Sequence, residues 1–141
     1  MNRADFHKLT ETRIKEAKIL LDRKCYEGAY YLAGYAVECA LKACIAKRTQ
    51  EHDFPPKPEV VRDYYQHKIE SLAKLAGLEL ELKKRASMVQ FKQFHSNWTV
   101  VTKWSEQDRY ETQIDSKQSR ELYRAITNSR NGVLVWLKKY W

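Results

Sequence analysis

Apolar and polar positions alternate with a helical period through most of the chain, and one stretch sets the frame for the rest. Tyr26 to Lys47 reads YEGAYYLAGYAVECALKACIAK. Tyr26, Ala29, Tyr30, Ala33, Ala36, Val37, Ala40, Leu41, Cys44 and Ile45 recur at the three-then-four spacing of an α-helix, for about five turns. A second apolar line (Leu32, Tyr35, Cys39, Ala43, Ala46) runs beside the first. A helix apolar over most of its circumference is central, covered by other helices or by a partner chain. Its small residues, Ala29, Ala33, Gly34, Ala36, Ala40 and Ala43, keep the surface thin and let neighbouring backbones come close.

Before it, residues 4–24 carry an apolar stripe (Phe6, Leu9, Ile14, Ala17, Leu20, Leu21) with Arg13, Lys15, Glu16 and Lys18 facing water, which predicts an antiparallel αα-hairpin. Residues 49–66 change character. Pro55, Pro56 and Pro58 remove donors and restrict their neighbours, so this segment reads as an irregular crossover. His67 to Gly77 predicts a short helix with Ile69, Leu72, Leu75 and Ala76 inward and Gly77 in a left-handed cap. Residues 79–95 predict a fourth helix. Residues 96–115 are less regular, with Val100-Val101 briefly extended and Tyr110 packed inward. Ser116 to Tyr140 predicts one last long helix, with Leu122, Ile126, Val133, Leu134 and Leu137 inward and Arg130 on the same stripe; Gly132 interrupts it at a cost of about 1 kcal/mol relative to Ala. The pattern is an all-α bundle of about five helices forming a single domain over residues 1–141.

Composition adds constraints. Hydrophobic content of 43% and charge of 31% fit a globular domain. No apolar run approaches the roughly 20 residues that span a bilayer, and the charged N-terminus has no signal-peptide core, so a cytoplasmic protein is expected. Three cysteines, two of them inside the apolar helix and none in a CxxC, predict buried reduced thiols and no metal site. A net charge of +8 is compatible with nucleic acid without requiring it.

A helix ending at Leu20-Leu21, followed by Tyr26-x-x-Ala29-Tyr30-x-Leu32-Ala33-Gly34-Tyr35-Ala36-x-Glu38-x-x-Leu41-Lys42-Ala43, resembles the HEPN family. His67-x-Ile69-x-x-Leu72, Ala76-Gly77, Trp104, Arg109-Tyr110 and Val133-Leu134-x-Trp136-Leu137 extend the resemblance over nearly the whole chain. The resemblance implies an up-and-down helical bundle that dimerises. Many members are metal-independent RNases, often toxins or defence factors paired with a nucleotidyltransferase or another antitoxin; others are inactive binding or scaffold modules. Active members carry Arg-x(4–6)-His at or near the start of the last long helix, where dimerisation brings two copies into one cleft.

The last helix departs from that pattern. Arg130-Asn131 opens the motif, but Val135, Trp136 and Leu137 stand where the histidine belongs. A literal match occurs at Arg62-Asp63-Tyr64-Tyr65-Gln66-His67, and about one such match is what chance supplies in a chain of this composition. Metal-free RNA cleavage needs a base for the 2′-OH, an acid for the leaving 5′-oxygen and a cation for the phosphorane, roles that suit His, His and Arg. Arg62 and His67 are therefore the candidate catalytic pair, against a bland reading of His67 as a helix-start packing residue. Any other hydrolytic site would recruit His95, His52 or Tyr140. Arg130, Asn131, Arg109 and Tyr140 are candidates for holding RNA or a nucleotide. Glu38, a carboxylate amid AVECA, predicts a buried ion pair with Arg109 or an arginine of the first helix. The four tryptophans read as core or interface before base-stacking platforms. The wide apolar face of the central helix, with Val133, Trp136 and Tyr140, predicts a twofold homodimer.

The leading expectation is an RNA- or nucleotide-binding or regulatory module with a degenerate catalytic motif, set in a toxin–antitoxin or defence system, without a cofactor. An active endoribonuclease toxin and an interaction module for a nucleotidyltransferase partner are the alternatives.

Overall fold

The computed structural model describes residues 1–52 and 58–141. Eight α-helices and two 3-10 turns make up the described residues, with no strand among them. The helices are α1 (Arg3–Asp22), α2 (Tyr26–His52), α3 (Pro58–Tyr64), α4 (Ile69–Leu75), α5 (Glu79–Ala86), α6 (Lys92–Thr102), α7 (Ser116–Thr127) and α8 (Val133–Leu137). The all-α expectation holds, with more and shorter helices than five.

The α1–α2 hairpin forms as its sequence dictates. Asn2 and Asp5 make a reciprocal capping box, Asn2 Oδ1 accepting from the Asp5 amide at 3.0 Å and Asp5 Oδ2 from the Asn2 amide at 2.8 Å. Lys24, at φ 62°, turns the chain into α2. Ala33, Ala36, Val37, Ala40, Leu41 and Ala43 are fully buried, and α1, α4, α7 and α8 all pack on α2. The chain itself covers most of the wide apolar face, while Leu32 and Tyr35 of its second line stay half-exposed. Val133 and Trp136 are buried within the chain too, and Tyr140 is half-buried.

Three expectations change. α2 continues to His52 and Pro58–Tyr64 is helical, so the crossover is shorter than 49–66; Pro55 and Pro56 lie outside the described residues. The fourth helix is two. α5 buries none of its residues, and a bend at Ser87-Met88 swings Arg85 back so that its guanidinium lies 4.2 Å from the Phe91 ring centroid and 4.7 Å from that of Phe94. α6 then runs through Val100-Val101, which are helical and not extended, because Phe94, Asn97, Trp98 and Val101 form one buried face. The last long helix is also two. Asn128 ends α7 with an Asx turn, its Oδ1 accepting from the amides of Arg130 (3.0 Å) and Asn131 (2.8 Å). Gly132 then caps α8 where a side chain would press on the Ile126 carbonyl oxygen at 2.7 Å.

The α4–α5 turn follows its sequence. Gly77, at φ 76°, sits in a Schellman motif, its amide donating to the Lys74 carbonyl and that of Leu78 to the Ala73 carbonyl, both at 3.0 Å.

Candidate functional site

Midway along α2, Glu38 is 2% exposed, and a buried carboxylate is costly unless paired. Its Oε1 accepts from Lys42 Nζ, one turn on, at 2.9 Å, and from His67 Nδ1 at 2.9 Å. Neither Arg109 nor an arginine of α1 is its partner, contrary to expectation. The second oxygen, Oε2, is buried and makes no hydrogen bond among the described residues. His67, just before α4, is half-buried, and its Nε2 lies 3.2 Å from Oε2 of Glu106. The imidazole is thus held between a buried carboxylate and a half-exposed one, so its ring plane is fixed from both sides.

Glu106 reaches this place because of a glycine. Gly34 leaves open the surface of α2 against which the Trp104 indole packs, 3% exposed and stacked on Tyr31 at 6.0 Å. Trp104 in turn anchors the 3-10 turn Glu106–Tyr110, whose own capping box ties Ser105 to Asp108. That turn carries both Glu106 and Arg109 to the mouth of an open depression of about 570 Å³, which Arg13, Glu16, Tyr31, Leu32, Tyr35, Glu38 and His67 also line.

The charges of this depression nearly cancel. Arg13 pairs with Glu16, Lys42 and His67 share Glu38, and Glu106 faces His67. Arg109 is exposed and has no carboxylate within ion-pair distance among the described residues; its guanidinium rests 4.8 Å from the Tyr110 ring centroid. Tyr110 itself is 69% exposed and does not pack inward as expected. Tyr31 and Tyr35 stand parallel with centroids 6.1 Å apart, and the Arg13 guanidinium lies 5.9 Å from the Tyr35 ring centroid. Burial raises the Tyr35 phenol above its ordinary range, so the ring enters as a neutral surface. The depression therefore offers one uncommitted cation, two parallel aromatic rings and an oriented imidazole.

A family model described as the HEPN domain matches residues 8–140. The chain belongs to the HEPN family. No curated protein and no solved structure matches it significantly.

Against the HEPN expectation the predicted residues scatter. His67 and Arg109 both line the depression, together with Tyr31. Arg62 is exposed in the last turn of α3 and is not among the residues lining the depression. Arg130 is exposed on the α7–α8 turn and not on an inward stripe. Asn131 is committed through its backbone, its carbonyl accepting from Asn97 Nδ2 at 2.9 Å. Tyr140 packs edge-on against Trp136, 5.6 Å between centroids, and borders a different cleft. His95 is exposed on α6, and the His52 side chain lies outside the described residues. Trp98, Trp104 and Trp136 are core residues. Sequence reasoning missed Glu106, Tyr31, Tyr35 and Arg13. The Tyr30-Tyr31-x-x-x-Tyr35 spacing places Tyr31 and Tyr35 on one face and was the available signal.

Among the described residues no group of three or more His, Cys, Asp or Glu is arranged to hold a metal ion. No described helix is long and apolar enough to cross a membrane.

Proposed function

We propose that this HEPN protein is an RNA- or nucleotide-binding module whose ligand enters the depression over His67. The observation that carries the reading is the convergence there of Arg109, the parallel Tyr31 and Tyr35 rings and an imidazole oriented by a buried carboxylate. Arg109 supplies a planar fork for a phosphate, and the tyrosines offer faces on which a base stacks without sequence preference. Glu38 holds His67 Nδ1 and leaves Nε2 facing Glu106 at the mouth. Neither Arg62 nor Arg130 lines the depression, so no Arg-x(4–6)-His pair meets there, and both ring nitrogens of its one histidine face carboxylates. That supports binding or regulation over efficient turnover. A homodimer, a toxin–antitoxin or defence setting and a nucleotidyltransferase-type partner belong to the same proposal as its assembly and context, together with residence in the cytoplasm.

One observation favours the second reading, a metal-independent endoribonuclease. A histidine whose Nδ1 faces a buried carboxylate is the arrangement that orients a general base. Cleavage would pass the 2′-OH proton to His67 Nε2, in place of its contact with Glu106, as the 2′-oxygen attacks phosphorus and the P–O5′ bond breaks, with water protonating the departing 5′-oxygen.

Incubation of a mixed RNA pool with purified protein in EDTA, beside His67→Ala and Arg109→Ala, separates the readings. Salt-sensitive retention without cleavage, weakened by Arg109→Ala, supports the binding module. Cleavage lost in His67→Ala replaces it with the endoribonuclease. Neither activity would leave protein interaction as the role.

A further inference from the structure

A second cleft lies at the far end of α2. It has a volume of about 730 Å³ and is walled by three separate segments: the last turns of α2, the α4–α5 turn and the C-terminal turn. Each wall brings cations. Lys47 and Arg48 come from α2, Lys74 from α4 and Lys139 from the turn after α8. The two carboxylates on its border are drawn along their own helix, Glu79 to Lys83 at 3.2 Å and Glu81 to Arg85 at 3.8 Å. Lys74 and Lys139 have no carboxylate partner among the described residues, and both are exposed. The floor is Cys44, Ala76 and Leu78, all buried, while exposed Leu80 and half-buried Tyr140 border it.

Arg48, exposed on α2, lies close over the α4–α5 turn. Gly77 adopts φ 76°, and a side chain there would overlap the Arg48 guanidinium, its Cζ only 2.8 Å from the added carbon. The turn thus uses glycine twice, for its left-handed conformation and for the close approach of a cation. Lys47 follows Glu38 by nine residues, about two and a half helical turns, which puts the two on opposite sides of α2. The second cleft is therefore not an extension of the depression over His67.

We propose that this cleft is a separate site for a short chain of phosphates, such as the triphosphate of a nucleotide or inorganic oligophosphate. Four cations converging from three walls suit an anion carrying several charges in a small volume, and the cleft is within the roughly 300–1,000 Å³ usual for small-molecule sites. Lysine ammonium groups act as point charges on phosphate, while Arg48 adds a bidentate fork. A long RNA strand running over His67 would not reach it without passing around α2.

Calorimetric titration with tripolyphosphate and, in parallel, with ATP tests the site, using wild type, Lys74→Gln/Lys139→Gln and His67→Ala/Arg109→Ala. Both lysines are exposed, so their replacement leaves the fold intact. The proposal expects saturable binding of both ligands, weakened about tenfold or more in the lysine variant and unchanged in the other. The amide resonance of Gly77 should shift on titration. Equal affinity for the two ligands marks the phosphate chain as the whole determinant, and tighter ATP binding adds a contact to the nucleoside; both agree with the proposal. No binding, or binding lost only in His67→Ala/Arg109→Ala, overturns it and leaves the reading of the His67 depression untouched.

Discussion

Replacing Gly34 by alanine tests how α2 builds the depression. The new methyl would lie well inside van der Waals contact of Cδ1, Cγ and Cδ2 of Trp104, the body of the indole and not a flexible tip. Gly34 is helical and buried, so alanine alone would favour the helix by about 1 kcal/mol. Against that, the indole must leave a site where it is 3% exposed. Removing a buried aromatic costs about 3–5 kcal/mol and partial displacement somewhat less, so the net destabilisation should be about 2–3 kcal/mol. Urea unfolding followed by circular dichroism measures it. A double-mutant cycle with Trp104→Ala sharpens the test, because without the indole the same Gly34→Ala change should become neutral or stabilising by up to about 1 kcal/mol. Additive effects, or a Gly34→Ala protein as stable as wild type, would refute the reasoning. Since Trp104 anchors the turn carrying Glu106 and Arg109, the variant should also lose ligand affinity at the depression.

Other outcomes follow from the same packing. Lys42→Met leaves buried Glu38 with His67 alone and should destabilise by about 3 kcal/mol, the low end for breaking a buried pair; a change below about 1 kcal/mol in urea unfolding would contradict the pairing. Burial pushes the Cys39 and Cys44 thiols up to about 12, whereas Cys25 is exposed. A thiol reagent at mildly alkaline pH should therefore label one cysteine quickly and the other two only after unfolding. Burial of the His7 ring, then the charge of Arg3, lower its pKa below the ordinary 6.5. Its folded state prefers the neutral ring, so its contribution is complete above 6.5 and is lost as pH falls through the lowered folded value. Stability should decline on acidification from there, and His7→Phe, which keeps the ring contact with Trp141, should flatten the decline.

Much of the scaffold was legible in the chain. The α2 stripe announced a central helix because its apolar positions hold one period for so many turns. Gly77 announced its cap, and Glu38 its burial, because a lone carboxylate in an apolar run has few alternatives. The partners of Glu38 were not legible. His67 is 29 residues away and arrives through the placement of α4, while Glu106 arrives through the fit of Trp104 on Gly34. The same limit explains Arg130. Read as one helix, residues 116–140 put it on the inward stripe, but the Asx turn at Asn128 breaks the register before it. The α5–α6 bend left no local mark either, having neither Gly nor Pro; it follows from the seat of Arg85 against Phe91 and Phe94.

The most direct measurement of the central claim is anisotropy of a labelled single-stranded RNA in EDTA across a salt series, comparing wild type with Arg109→Ala. The account predicts retention at low salt, affinity falling as salt rises, and a salt slope reduced in Arg109→Ala by about 0.7, the share of one single-strand phosphate. Identical affinity and slope in the two proteins, or no retention at low salt, would contradict it.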